Sequence, residues 1–433
     1  MYPQELFAKL RGSSGFIAKN GLSVLLRMLA IAFVFFPQRW LNQNLSSEVF
    51  AQYNVGIAVI GVLLGTLGFG IPQLLHRVYT HLEAGEERNV VWSSLALLRL
   101  LSFGVGLIIL WVISLFGLVP LSILFFLYLP MFLFLADVGF RSIVDADNRS
   151  WQYSFSDLLS KITLNVGLFF LAGHLPLLAT LSPFYQYAFS SILSALVALG
   201  IDAWWQRKHY RFVRPSLTYL HKVRATVGYL GLTGFLVGAF LTTDRIFLDA
   251  YGYSSEIING YSNAYKLFEV AAVVPGITMP VLASSVIKKL RALEDTERRA
   301  SVKRYLQTTL GVGFFTALCF AVGGPIALRL IDPEGRYLAT SLPTLWLLAP
   351  AVVLSFGTVF ITHIMLLTGN DKPELWIQSR NLIFAVIVYA LLIYRYAYTG
   401  AAISTVLIYF FDLLQRWWAV FTSKNKVSLA LKD

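Results

Sequence analysis

The sequence predicts an all-α polytopic membrane protein, with about twelve transmembrane helices in two six-helix bundles. Three observations predict it. Apolar residues fill 57% of the 433 positions and charged residues only 13%, against roughly 45–50% and about 25% in soluble domains. Apolar stretches of spanning length recur along the chain with short polar breaks. A segment near the start is repeated near the middle. With a mean hydropathy of +0.66, the composition excludes a soluble enzyme, a disordered chain and a nucleic-acid-binding domain. The single cysteine, Cys319, excludes an intrachain disulfide.

The predicted spans are 17–38, 49–75, 91–116, 120–140, 157–179, 183–204, 225–247, 257–285, 306–330, 342–368, 380–397 and 400–421. The first is preceded by Lys9 and Arg11 and begins near Lys19, as a secretion signal would. Arg27 interrupts its apolar run and no small-residue cleavage site follows, so an uncleaved first helix is expected.

Lys and Arg set the orientation. They concentrate in the breaks after even-numbered helices, above all Arg207 to Arg224 and Lys288 to Arg304, and in the tail at Lys424, Lys426 and Lys432. Breaks after odd-numbered helices hold little beyond Arg39 and Arg336. Both termini and the basic loops are therefore expected on the cytoplasmic side of the plasma (inner) membrane. The formal charge of +12 is thus a topology signal and does not call for a nucleic-acid partner. Trp40, Trp92, Trp204, Trp205, Trp417 and Trp418 fall at helix ends, where an aromatic belt is expected.

Residues 46–75 align with 254–283 without a gap at an offset of 254 − 46 = 208. Ser46/Ser254, Ser47/Ser255, Glu48/Glu256, Tyr53/Tyr261, Gly68/Gly276 and Pro72/Pro280 coincide. Helix two then corresponds to helix eight in the same orientation, a parallel repeat of the kind that supports rocking of two halves. The expected halves are 1–204 and 225–433, joined by a basic cytoplasmic linker at 205–224. Gly68, Pro72, Gly276 and Pro280 are the expected hinges, because each proline removes a helical hydrogen bond. Gly65, Gly68 and Gly70 allow close backbone approach.

A charge at the bilayer centre costs about 2.5–3.5 kcal/mol, so it turns toward a partner or a cavity. Arg27 lies in mid-helix and is expected to face a polar cavity. Arg99, Asp137 and Lys161 lie near a cytoplasmic boundary and are expected to snorkel. Lys266 and Glu269 share a helix face and are expected to pair. Asp244 and Arg245 are adjacent and are expected to find different partners, with Arg245 an alternative anchor at the outer interface. If Arg27, Lys266 and Arg245 faced one cavity it would be cationic and suit a phosphate or pyrophosphate. Tyr53, Tyr261 and Tyr265, with Asn54, Ser262 and Asn263 beside them, suit a sugar-binding wall; ordinary helix packing is the competing reading. Asp412 is a further charge within helix twelve.

No P-loop is present, no H-E-x-x-H motif occurs among the six histidines, and no large external loop is available for catalysis. No cofactor, no metal and no enzymatic reaction are expected. Energy would come from a gradient, the membrane potential or downhill flux.

SVLLR at 23–27, LSSEVFAQYN at 45–54, LGFGIPQLLHR at 67–77 and the stretch from Thr243 to Ser285 together resemble the Wzx-type polysaccharide flippases of the multidrug/oligosaccharidyl-lipid/polysaccharide superfamily. Ala51 departs from the family, which has Gly there. The second helix-one Arg and following Asp of lipid II flippases are missing, with Phe33 and Val34 in that region, and there is room for twelve helices rather than fourteen. The resemblance implies a MATE-like fold of two six-helix bundles around a central, largely cationic cavity. It implies flipping of a polyprenyl-pyrophosphate oligosaccharide to the outer leaflet for cell-surface polysaccharide synthesis. Arg27 would meet the pyrophosphate, and Asp244 matches the helix-seven acid. H⁺ or Na⁺ as coupling cation and other polysaccharide-assembly proteins are the further partners considered. The alternatives are a cation-coupled multidrug exporter of the same fold, a lipid II flippase, a membrane-embedded glycosyl-transfer enzyme, and a scaffold that transports nothing.

Overall fold

The computed structural model describes residues 25–68, 85–117, 119–146, 149–171, 180–207, 210–290, 294–367 and 371–422, with isolated positions at 22, 23, 71, 74, 75 and 78. These are almost entirely helical, and no strand occurs among them. The elements are α1 (Phe35–Asn44), α2 (Ser47–Leu67), α3 (Glu86–Ser114), α4 (Leu121–Ala146), α5 (Ser150–Val166), α6 (Pro183–Gln206), α7 (Leu217–Ala250), α8 (Ser255–Leu290), α9 (Asp295–Ile331), α10 (Leu338–Leu367) and α11 (Asp371–Trp417). Among the described residues seven helices are long and apolar enough to cross a membrane.

Several expectations shift. Helix one is helical at 25–32, turns at Phe33 and Val34, and resumes as α1 through Asn44. Pro37 explains the restart, since it fits the first turn of a helix but not the middle of one. The leader-like residues at its start, and Pro72, lie outside the described residues. The spans at 380–397 and 400–421 form one element, α11, bent at Ala397, whose φ of 50° and ψ of −129° leave the helical region. Glu86 and Glu87 begin α3 earlier than its apolar run, favourably placed at a helix N-terminus.

The chain forms two compact units. The first comprises Met1–Leu41, Ile71–Ile109 and Phe125–Arg224. Phe103 of α3 stacks on Tyr128 of α4 at 5.5 Å and meets Phe132 at 4.8 Å. Gly167, just after α5, lies so close to α6 that a Cβ there would sit 2.8 Å from Ser190 Oγ. The non-helical stretch before α7 is strapped to the start of α3. Asn89 Oδ1 accepts from the Arg211 amide (3.0 Å), and Ser93 and Ser94 hydroxyls accept from the amides of Val213 (3.0 Å) and Ser216 (2.8 Å). These side chains satisfy backbone donors that no helix can satisfy.

The second unit comprises Asn42–Gly70, Leu110–Leu124 and Ala225–Asp433. Its centre is α10, whose Leu345, Leu348, Ala351, Val352, Phe356 and Phe360 are all buried. The two repeat helices, α2 and α8, belong to this unit and begin at equivalent residues, Ser47 and Ser255. Ser46 caps the first, its hydroxyl accepting from the Val49 amide. Their far ends differ: α2 stops at Leu67 with Gly68 as its C-cap, whereas α8 runs unbroken through Gly276 and Pro280. Glycines let α2 pack tightly against α7. A Cβ on Gly65 would sit 2.5 Å from Gly234 O, and one on Gly238 would sit 3.0 Å from Gly61 O. This is the small-xxx-small contact of membrane helices, formed at spacings of four on both partners.

Candidate functional site

In the first unit Arg27 is buried and its Nε donates to Ser154 Oγ on α5 at 3.0 Å. Ser154 Oγ also lies 2.6 Å from Ser23 Oγ, and the guanidinium faces the Tyr153 ring at 5.8 Å. Hydroxyl and aromatic groups thus help to orient the mid-helix Arg.

In the second unit six of the sequence-selected residues converge. Tyr261 and Tyr265 of α8 face Asp244 and Arg245 of α7. Tyr261 donates its hydroxyl proton to Asp244 Oδ2, and Tyr265 donates to Leu241 O at 2.6 Å. Arg245 Nη2 donates to Glu269 Oε1 at 3.2 Å, and Lys266 Nζ donates to Glu269 Oε2 at 2.8 Å. Arg245 also lies over the Tyr265 ring at 4.9 Å. The expected Lys266–Glu269 pair is present. Asp244 and Arg245 do take different main partners, yet Arg245 Nε is also 3.8 Å from Asp244 Oδ1. Arg245 is a buried network member here, not an exposed anchor.

Two cations and two carboxylates make this cluster charge-balanced rather than cationic. Lys266 is its open end, with a side chain 38% exposed. The tyrosines present no open face: Tyr53, Tyr261 and Tyr265 are buried, Tyr53 stacked on Phe50 at 5.9 Å. In this structure Tyr261 and Tyr265 tie α8 to α7. Of the expected hinges, Gly68 is a helix cap and Gly276 sits in open space within α8.

An amide ladder joins α2 and its flanking residues to α8. Asn54 Nδ2 donates to Asn259 Oδ1 at 3.0 Å, and Asn259 Nδ2 donates to Ser47 O at 2.9 Å. Asn42 and Asn263 exchange two side-chain bonds of 3.2 Å each, and Asn42 also donates to Ile331 O at 3.1 Å. Asn42 and Asn259 escaped the sequence reading. The usable signal was Asn259 and Asn263 at a spacing of four on one helix.

Two further buried networks also escaped it. Within α11, Arg416 makes a bidentate pair with Glu374 (2.5 and 2.8 Å) and binds Asp412 Oδ1 at 3.0 Å. Asn381 donates to Asp412 at 2.5 Å, and Gln378 donates to Glu374 at 2.9 Å. In the first unit Asp137 and Arg99 are buried inside the protein rather than snorkelling. Asp137 was expected to reach toward water, but it meets Asp202 of α6, a residue the sequence did not single out. Lys161 pairs with Asp157 at 3.8 Å and lies over Phe134. No metal-type cluster of three or more His, Cys, Asp or Glu occurs among the described residues.

Long apolar helices that bury ion pairs and amide ladders define a multi-pass membrane protein, and its fold is that of the MATE transporters. A point mutant of VcmN, a Vibrio cholerae MATE transporter, matches with a TM-score of 0.63 and 15% identity over 95% of this chain and 98% of that one. An outward-facing multidrug resistance MATE family transporter of the MOP superfamily matches with a TM-score of 0.64 and 14% identity, over 93% and 94% of the two chains. The lipid II flippase MurJ, in an inward closed conformation, matches with a TM-score of 0.61 and 16% identity, over 94% and 88%. No curated protein matches the sequence. The polysaccharide biosynthesis protein family matches residues 17–287, well over half of the chain, and the chain belongs to that family. Family and fold agree with the resemblance drawn from the sequence.

Proposed function

We propose that this protein is a flippase that moves a polyprenyl-pyrophosphate-linked oligosaccharide from the cytoplasmic to the outer leaflet, for cell-surface polysaccharide synthesis. The observation that carries the reading is the family match over residues 17–287 on a chain with the MATE transporter fold. A polysaccharide made on a lipid carrier needs its carrier turned over, and a two-bundle transporter supplies alternating access without ATP. The protein sits in the inner membrane with both termini cytoplasmic, following the Lys and Arg distribution. It works as two halves, 1–204 and 225–433, joined by the basic linker at 205–224.

Within this reading Arg27 holds the pyrophosphate. Its Nε is committed to Ser154, which fixes the plane of the guanidinium. A planar guanidinium presents several donors to phosphate oxygens. Lys266 is a second anion contact, held out by Glu269 and exposed at its tip. Asp244, Arg245, Tyr261 and Tyr265 fix α7 against α8 and thereby place Lys266. Asn54 and its ladder hold α2 to α8, so that opening there requires breaking side-chain amide bonds and not the core.

The test is glycan export in cells whose only copy is Arg27→Ala. The expected result is an export loss of tenfold or more, with normal membrane insertion and with Arg27→Lys partly rescuing. Wild-type export by a correctly inserted Arg27→Ala would overturn the assignment of Arg27. Export of cationic drugs, with no effect on glycan, would instead favour an exporter of the same fold.

A further inference from the structure

The first unit carries two buried acids that the proposed substrate contacts leave unused. Asp137 on α4 is 2% exposed and Asp202 on α6 is 0% exposed. Their carboxyls lie within hydrogen-bonding reach of each other. Ser156 on α5 donates to Asp202 Oδ2 at 2.8 Å. Asp137 Oδ1 and Asp202 Oδ1 receive no hydrogen bond among the described residues. Both oxygens are shielded from solvent as well.

A carboxylate is an acceptor only, so two of them bond to each other only when a proton lies between them. Two buried like charges at that range cannot both persist. Among the described residues no cation forms an ion pair with either carboxyl. On α5, Lys161 is the cation in electrostatic reach, and it is tied to Asp157 at 3.8 Å, whose own charge adds to the repulsion. On α3, the Arg99 guanidinium lies against Gly139, two residues past Asp137. On α6, Gln206 takes up Arg149 through its Oε1 at 3.1 Å.

We propose that Asp137 and Asp202 form a proton-binding site in the first unit, holding one shared proton that is taken up and released during the transport cycle. Release leaves two carboxylates facing each other across α4 and α6, with Ser156 as the one donor among the described residues, so the helices must part or admit water. Uptake closes them again. Proton occupancy and the packing of α4 on α6 are therefore linked, which is what a coupling ion requires. The proposal rests on the flippase reading for its role in transport, but the shared proton stands without it.

The experiment has two arms. Infrared spectroscopy of the purified protein in lipid at neutral pH reads the shared proton directly. A protonated carboxyl band, shifted in D₂O, is expected in wild type and absent from Asp137→Asn and Asp202→Asn. Absence of the band in wild type, or its survival in both variants, would overturn the proposal. Because the wild-type spectrum needs no variant, misfolding of a variant cannot mask the answer. The second arm is flipping in proteoliposomes with and without an imposed pH gradient. Stimulation by the gradient is expected in wild type, and Asp202→Asn should lose it while keeping downhill exchange. Gradient stimulation retained in Asp202→Asn would overturn the coupling role. No exchange by wild type at all, with the infrared band present, would contradict the flippase reading and leave the proton site standing.

Discussion

The two units solve the problem of buried charge in opposite ways. In the second, every buried acid of the networks described above has a cation or a strong donor. Asp244 has Tyr261 and the Arg245 amide, Glu269 has Arg245 and Lys266, and Glu374 and Asp412 share Arg416. In the first, Asp137 and Asp202 have mainly each other. The difference separates fixed charge from exchangeable charge. A carboxylate locked to an arginine resists a change of protonation, whereas a carboxyl facing its twin depends on it.

The Arg416 network should give the largest effect when that comparison is attacked. Removing one member of a buried pair strands the other, at a cost of about 3–5 kcal/mol. Arg416→Ala should therefore collapse detergent-solubilised protein to a non-native, early-eluting species and lower its thermal midpoint sharply. Arg416→Ala combined with Glu374→Gln should recover part of the loss, because fewer charges are left unpaired. A midpoint unchanged by Arg416→Ala would show that the network is not holding α11 together.

Gly65→Val comes next. The new side chain would meet Gly234 O, a backbone atom that cannot step aside, so α2 must move away from α7. Loss of well over half of the folded yield is expected, with Gly276→Ala as the control at no cost, since nothing lies within 4 Å of its Cβ position. Asn259→Ala should do less. Hydrogen bonds between membrane helices are worth about 0.6–2 kcal/mol, and Asn259 makes two. A drop of a few degrees is expected, together with weaker cross-linking between α2 and α8; an unchanged midpoint and cross-link would remove the ladder from the account.

The smallest effect on stability belongs to Lys266→Ala, because exposed ion pairs contribute about 0–1 kcal/mol. Its midpoint should stay near wild type while glycan export falls severalfold. Normal export would leave Lys266 a surface ion pair and no more.

How much of this was legible in the chain follows from the physics of each feature. Apolar runs are local signals, so the all-helical class and the order of the helices could be read directly, while the merging of the last two spans into α11 could not. The repeat made the equivalence of the two helices legible, and both begin at matched serines, Ser47 and Ser255, two residues before the expected starts at 49 and 257. The Lys266–Glu269 pair was legible because a spacing of three fixes proximity on any helix. Asp137 with Asp202, and Glu374 with Arg416, were not legible. Their sequence separations carry no distance information until the helices are packed. Tyr261 and Tyr265 were visible as residues but not as buried ones. An amphipathic side chain reads the same whether its hydroxyl meets a sugar or a backbone carbonyl.

The most direct test of the central claim is the transfer of a labelled polyprenyl-pyrophosphate oligosaccharide between leaflets of proteoliposomes, wild type beside Arg27→Ala, read by the label's accessibility from outside. The account predicts protein-dependent transfer by wild type and at least a tenfold loss in the variant. Absence of transfer by wild type under every ion gradient and membrane potential would contradict it.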